Sequence, residues 1–263
     1  MKSYRRFFIK SSLNDIRKQE LSKAIKRYLT QKGLKEVSTV KDADIVFSIG
    51  GDGTILSLVR DIILTGEKKL PLIFGVNAGK LGFLTASEGA NWKEDVDRFL
   101  RGDFRVEKRF LLEGLCGDKH FFALNEVAVF RKGPRILGIK VFLDGDEMAY
   151  FKGDGFIVST PTGSTAYSLA AGGPIVEPHT RVMICTPICP HTLSARPVVV
   201  SDNHSVGITV DGMAQVSSDG QMVCEVSDDD TLRVFSSERF IKVVSFGRSF
   251  FATLEEKMGW KRG

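Results

Sequence analysis

The sequence predicts an α/β half followed by a mostly β half, and three observations carry that reading. As far as about Gly102, apolar runs of strand length alternate with helical patterns. Beyond it, short alternating runs are broken by Asp-Gly pairs, a hairpin signal because primed turns need positive φ. The tail from Ser249 to Trp260 then turns helical again.

In chain order, Leu21, Ala24, Ile25 and Tyr28 recur at helical spacing within Leu13 to Leu29, and Gly33 supplies the stop. Ala43 to Ile49 is a short buried strand. It runs into Gly50-Gly51-Asp52-Gly53-Thr54, where Thr54 opens a helix continued by Ile55, Leu56, Leu58 and Val59. Leu72 to Val76 is a second strong strand, and Trp92, Val96, Phe99 and Leu100 mark an amphipathic helix. In a parallel sheet covered by helices, ligands sit beyond the carboxyl ends of strands, where both Gly50 to Thr54 and Asn77 to Phe83 lie. In the β half, Ile139 to Leu143 runs into Asp144-Gly145 and Val206 to Val210 into Asp211-Gly212, so both dipeptides read as hairpin turns. Phe250, Phe251, Leu254 and Met258 form an apolar stripe on the tail, which packs back onto the first half. The resulting divisions are residues 1–102, 103–245 and 246–263.

With 263 residues, 43% of them hydrophobic, the chain can bury one large core or two small ones. The formal charge of +5, from 37 basic against 32 acidic residues, suits an anionic small molecule as well as nucleic acid. No basic tract interleaved with aromatics marks a nucleic-acid surface. The opening Met1-Lys2-Ser3-Tyr4-Arg5-Arg6 is basic, but Phe7-Phe8-Ile9 is cut by Lys10 and is too short for a signal-peptide core. No apolar run approaches a membrane span, so a cytoplasmic protein with no membrane partner is expected. The four cysteines, Cys116, Cys185, Cys189 and Cys224, are expected to be reduced. Cys185 and Cys189 lie near His191 but lack a matching ligand pair, so they read as buried thiols rather than metal ligands.

Gly50-Gly51-Asp52-Gly53-Thr54 places a lone carboxylate among glycines. The glycines admit positive φ and close approach of a ligand, and the free N–H groups of a following helix favour phosphate. A carboxylate would repel that phosphate, so Asp52 reads as a magnesium partner or as the acceptor of a proton from a hydroxyl that attacks phosphorus. A tight turn with a solvated Asp explains the pattern equally well. Thr160-Pro161-Thr162-Gly163-Ser164-Thr165-Ala166-Tyr167-Ser168 crowds hydroxyls around one glycine and suits a sugar or phosphate, or else caps a helix. Lys152-Gly153-Asp154-Gly155 repeats the carboxylate between glycines. Asn125-Glu126 pairs an amide with a carboxylate that can read adenine or ribose edges, although a surface loop is the commoner meaning of such a dipeptide.

Taken together, these segments resemble the NAD kinase family through nearly the whole chain. The likeness is carried by Gly50 to Thr54, Asn77 to Phe83, Leu124-Asn125-Glu126, Gly153-Asp154-Gly155, Thr160 to Pro174, Pro187 to Leu193, Asp219-Gly220-Gln221, and the closing Phe250-Phe251 to Gly259-Trp260. The first loop alone also resembles diacylglycerol kinases and phosphofructokinases; the Thr160 to Ser168 segment is the specific part.

The resemblance implies an N-terminal Rossmann-like α/β domain, a C-terminal β-rich, sandwich-like domain holding most of an NAD site, and a terminal helix returning to the first domain. It places the active site in the cleft between them. It makes Asp52 the catalytic residue in a phosphate loop of Gly50, Gly51, Gly53 and Thr54, with Gly53 beside the nucleotide and Phe83 flanking adenine. Asn125 and Glu126 would contact the ribose and nicotinamide side. Asp154, Thr165, Ala166, Tyr167, Ser168, Leu169, Ala170 and Gln221 would complete the pocket. Lys152 stands where many relatives carry arginine, which keeps the charge without the bidentate fork; Arg135 aligns loosely with a binding position. The implied activity is Mg²⁺- and ATP-dependent phosphorylation of the 2′-hydroxyl of the adenosine ribose of NAD, giving NADP. Magnesium would be held by the phosphates and Asp52 rather than by a protein cage, polyphosphate stays open as another donor, and a homodimer or homotetramer is implied. Two alternatives remain. A lipid or other small-molecule kinase would share only the first loop, yet the sequence offers no apolar or basic docking segment. A non-catalytic NAD sensor would gain little from Asp52 beside phosphate.

Overall fold

A computed structural model describes residues 4–11, 15–66, 70–79, 82–228 and 230–259. Met1, Lys2, Ser3, Leu13, Lys80, Leu81 and Trp260, all named above, lie outside the described residues. The chain forms two compact units, Met1–Lys108 with Ile241–Gly263, and Arg109–Phe240.

The first unit is α/β. Its strands are β1 (Arg6–Ser11), β2 (Lys35–Glu36), β3 (Ile45–Ile49), β4 (Leu72–Asn77) and β5 (Ser87–Glu88), and its helices are α1 (Ile16–Gln31), α2 (Asp52–Leu64) and α3 (Trp92–Arg101). The strands pair in parallel in the order β2-β1-β3-β4, and β5 also joins β4. All five residues of β3 are buried, as a central strand covered on both faces requires. Phe47 stacks on Phe74 at 5.0 Å, and Phe99 of α3 meets both rings edge-on, so the aromatic side chains fill the space between sheet and helix. Asp15 caps α1 through the N–H groups of Arg17 and Lys18. Ile25 and Leu29 are buried, but Ala24, expected on the apolar face, is exposed.

The second unit is β-rich. Its elements are β6 (Arg105–Cys116, entering from the first unit), β7 (Lys119–Ala123), β8 (Glu126–Arg131), β9 (Leu137–Leu143), β10 (Asp146–Gly153), β11 (Gly155–Ser159), the single helical turn α4 (Tyr167–Ala170), β12 (Val182–Ile188), β13 (Val198–Ser201), β14 (Ser205–Asp211), β15 (Ala214–Ser218), β16 (Gln221–Val226) and β17 (Leu232–Ser245). One sheet runs β10-β9-β14-β17 and the other β13-β12-β11-β8-β15-β16. Ile139, Val141, Val206 and Ile208 of the first share a core with Val127, Val129, Val158, Met183 and Val216 of the second, which makes a sandwich.

Asp144-Gly145 is the expected β9–β10 hairpin turn, with φ 54° and 99°. Asp211-Gly212 is not a hairpin: β14 pairs with β9 and β17, whereas β15 pairs with β8 and β16, so this dipeptide carries the chain from one sheet to the other. The Asp-Gly signal reports a positive-φ turn and is silent about which sheet the next strand joins. The expectation of buried thiols holds for Cys185, whose pKa burial pushes up to about 12, and fails for Cys189, which is exposed at φ 44° just past the end of β12.

The chain re-enters the first unit along β17, where Lys242 and Val243 pair in parallel with Leu72 and Ile73. It ends in α5 (Phe250–Met258), capped by Ser249. The tail thus belongs to the first unit, although of the expected stripe only Leu254 is fully buried, while Phe251 and Met258 are exposed.

Candidate active site

In the first unit, β3 turns into α2 through Gly50 and Gly51. Gly50 has φ 150°, and a Cβ there would lie 2.2 Å from Thr54 Oγ1, so glycine is required. The helix opens at Asp52, two residues before Thr54, and no side chain caps its N-terminus. A carboxylate in this first turn is favoured by the helix dipole. One Asp52 carboxylate oxygen accepts the N–H of Phe83 at 3.0 Å and the other that of Leu84 at 3.1 Å. Gly53 differs from Gly50: it is exposed, and a Cβ there would meet nothing within 4 Å. Folding therefore does not demand glycine at 53. The Phe83 ring is half-buried, 5.8 Å from Phe250, with Lys257 Nζ 5.7 Å from its centroid.

In the second unit, Asn125 and Glu126 stand at the start of β8, and Thr160 to Gly163 is folded against them. Thr160 donates its N–H to the Asn125 carbonyl (2.9 Å) and its hydroxyl to the Leu124 carbonyl (2.6 Å). A Cβ at Gly163 would fall 2.1 Å from the Asn125 carbonyl oxygen, so the glycine lets two backbones meet. From the turn between β15 and β16, the Asp219 carboxylate accepts the N–H groups of Leu124, Asn125 and Glu126.

Glu126 is buried, and its Oε2 has no hydrogen-bond partner. Burial first, and then the charge of Asp219, push its carboxyl up to about 7, against the opposing effect of the Tyr167 N–H. The Ser159 hydroxyl, on the cross-strand partner of Glu126, is likewise buried without a partner. A commonplace loop dipeptide in the sequence is thus a buried carboxyl beside unspent hydrogen-bonding capacity.

The hydroxyls of Thr160 to Ser168 are largely spent within the protein. Ser164 accepts the Val176 N–H at 3.0 Å, Thr165 donates to the Thr162 carbonyl at 3.3 Å, and Ser168 pairs with Thr186 at 2.9 Å. They stitch the segment together rather than cap a helix, since α4 has no side-chain cap. What the segment presents outward is Tyr167 and Ala170, with Ala166 and Leu169 half-buried. Burial raises the Tyr167 pKa, and the charges of Cys189, Glu126 and Asp154 add to the shift.

Asp154, between β10 and β11, accepts Arg131 Nε at 2.7 Å. Its glycine neighbours have packing causes: a Cβ at Gly155 would lie 2.2 Å from the Val129 carbonyl oxygen, and one at Gly153 would lie 3.0 Å from that of Ile188. Lys152 is exposed near the end of β10, Arg135 is exposed between β8 and β9, and Gln221 is exposed at the start of β16. Three supporting residues were given no role by the sequence reading: Asp219, Arg131 and Thr186. Each acts on a partner 18 to 95 positions away, and only Asp219 left a signal, as part of Asp219-Gly220-Gln221.

A profile of the ATP-NAD kinase N-terminal domain matches residues 7–104, and one of the ATP-NAD kinase C-terminal domain matches residues 124–246. The NAD kinase of Bacteroides fragilis is 38% identical over 229 residues, covering 83% of this chain and 77% of that protein. The NAD kinase of Methanopyrus kandleri is 43% identical over 221 residues, covering 82% and 78%. Among solved structures, an NAD kinase from Archaeoglobus fulgidus in complex with ATP superposes with a TM-score of 0.78 at 29% identity over 98% of both chains. A yeast NADH kinase complexed with NADH shares the fold, with a TM-score of 0.90 at 21% identity over 100% of this chain and 89% of that one.

Proposed function

This chain belongs to the ATP-NAD kinase family, and from that membership we propose how its residues divide the work of making NADP. The chain is a kinase that uses ATP to phosphorylate NAD at the 2′-hydroxyl of the adenosine ribose. A lipid kinase sharing only the first loop is not favoured, because the family match continues across residues 124–246.

The observation that carries the catalytic assignment is the carboxylate of Asp52 held by two backbone amides in the first turn of an uncapped helix. A ribose hydroxyl is a poor nucleophile at neutral pH, so a positioned acceptor for its proton lowers the barrier. Asp52 is that acceptor. Each of its oxygens is oriented by one N–H and keeps a further lone pair for the hydroxyl. The free N–H groups opening α2 and the open face at Gly53 take phosphate oxygens, with Gly50, Gly51 and Thr54 shaping the loop. Magnesium arriving with ATP would offset phosphate charge, and Asp52 would join its shell, a donor set of one carboxylate plus phosphates that suits this ion.

The second unit holds NAD. Asn125 reads polar edges, Glu126 and Asp154 accept ribose hydroxyls, and Thr165 to Ala170 with Gln221 line the dinucleotide. Lys152 attracts its phosphates, Phe83 flanks adenine, and Arg135 is a peripheral contact. The protein works in the cytoplasm as a homodimer or homotetramer; in support of the first, no helix among the described residues is long and apolar enough to cross a membrane. Sedimentation and specific activity over one dilution series test the assembly, and full activity in a demonstrated monomer would remove it.

The decisive experiment supplies purified protein with Mg-ATP and NAD and offers the product to a strictly NADP-dependent dehydrogenase. Reducible product is expected, and NAD lacking the adenosine 2′-hydroxyl should bind without turnover. A sensor would bind NAD and leave ATP intact. No NADP with either ATP or polyphosphate, in folded and metal-replete protein, would overturn the assignment.

A further inference from the structure

Of Asp219-Gly220-Gln221, the NAD contacts proposed above use only Gln221. Asp219 sits at φ 47°, a left-handed conformation that few side chains other than those of Asn and Asp accept readily. From there its Oδ2 accepts the Leu124 N–H at 2.8 Å, and its Oδ1 accepts those of Asn125 at 2.7 Å and Glu126 at 3.2 Å. Its own N–H donates to the Glu126 carbonyl at 3.0 Å. One carboxylate gathers three consecutive amides and so fixes the backbone from which the Asn125 and Glu126 side chains project. The amides are 93 to 95 positions away, so local sequence cannot supply this constraint.

Among the described residues, few groups bear on the Glu126 carboxyl. Asp219 approaches from the β15–β16 turn, Tyr167 gives its N–H from α4, and Ser159 pairs across on β11; the charges of Cys189 and Asp154 act on Tyr167. Arg131 is engaged by Asp154. Asp219 is therefore the charge that bears on Glu126 most strongly.

We propose that Asp219 is a positioning residue for NAD: its carboxylate fixes the Asn125–Glu126 backbone through three amides and so places the two side chains that meet the dinucleotide. This rests on the reading that Asn125 and Glu126 contact NAD. Ionised, Glu126 accepts hydrogen bonds on both oxygens, whereas protonated it turns one of them into a donor. With its carboxyl titrating at about 7, KM for NAD rises as pH falls through that value.

The test compares wild type with Asp219→Asn and Asp219→Gly, both of which tolerate the left-handed turn. Asparagine removes the charge and points an NH₂ at backbone donors; glycine removes the cradle altogether. For both, KM for NAD should rise on the order of tenfold while KM for ATP stays within about twofold. In the pH profile of KM for NAD, the acid limb should move to lower pH, because Glu126 has lost its like-charged neighbour. Glu126→Gln, in which Asp219 is untouched, should lack that limb. An unchanged KM for NAD would overturn the proposal. So would equal rises in both KM values with the acid limb unmoved, the signature of a merely structural role, and so would an acid limb that survives in Glu126→Gln. Wild type that makes no NADP in the same assay would instead refute the kinase reading.

Discussion

Gly82 and Asp52 touch so closely that no side chain fits between them: an ideal Cβ on Gly82 would lie 2.1 Å from a carboxylate oxygen of Asp52. The glycine brings the following backbone onto the carboxylate, so that Phe83 and Leu84 donate to it and Thr85 ties the turn by accepting the Gly82 N–H at 2.7 Å. The placement of Asp52, the proton acceptor proposed above, thus depends on a residue with no functional group.

Gly82→Ala should therefore be a kinetic rather than a folding mutation. The atom in the way ends a side chain that can rotate, so folding survives, but Asp52 leaves its place. We expect kcat to fall by about ten- to a hundredfold with Tm little changed, approaching the loss on the order of a hundred- to ten-thousandfold expected for Asp52→Asn, which cannot take the proton. Steady-state kinetics beside thermal melts decide it. Normal kcat in folded Gly82→Ala would show that the placement of Asp52 is not critical.

The division of labour proposed for the two units predicts a split in Michaelis constants. Asn125→Ala and Asp154→Ala should raise KM for NAD far more than KM for ATP. Asp154 also pairs with Arg131, but both side chains are more than a third exposed, so the stability lost with that pair is at most about 1 kcal/mol. A larger change in the ATP constant would reverse the assignment.

Much of this was legible beforehand for a physical reason. Local periodicity located β3, β4, α2 and α3, since each buries one face or the whole of a short run, and the glycine loop followed from the strand it terminates. What sequence could not show is pairing across distance. It did not reveal that Asp211-Gly212 switches sheets, that Asp219 holds Leu124 to Glu126, or that the hydroxyls after Thr160 are spent on backbone groups and on Thr186. The glycines beside Asp154 looked like a second ligand loop, whereas Gly155 answers to the Val129 carbonyl. Glu126 was the reverse case, a bland dipeptide that burial turns into a titratable group.

Gly163→Ala tests the contact between the Thr160 segment and Asn125. Unlike the collision at Gly82, the obstacle is backbone: the Cβ would lie 2.1 Å from the Asn125 carbonyl oxygen and 2.7 Å from its Cα. Neither chain can yield by rotating a side chain. We expect a loss on the order of 1–3 kcal/mol by urea denaturation, together with a raised KM for NAD, because relief of the clash displaces Asn125. Wild-type stability and KM would show that the two backbones separate freely.

The last prediction concerns the stability of the protein without ligands. An unfolded Glu126 ionises near 4.5, whereas the folded carboxyl, buried and facing Asp219, ionises at about 7. Between those values the folded state binds the additional proton, so raising pH through this window destabilises the fold, and above about 7 the loss is complete. The difference corresponds to about 3 kcal/mol at one pKa unit per 1.4 kcal/mol. Glu126→Gln keeps the shape and cannot ionise. Its stability relative to wild type should therefore increase from pH 5 to pH 8 by about 2–3 kcal/mol, and flatten beyond. Urea melts of both proteins at those two pH values, without NAD, give the comparison, in which all other titrating groups cancel to first order. Parallel stability curves would mean that Glu126 ionises as easily in the fold as outside it, and that its burial beside Asp219 carries no electrostatic cost.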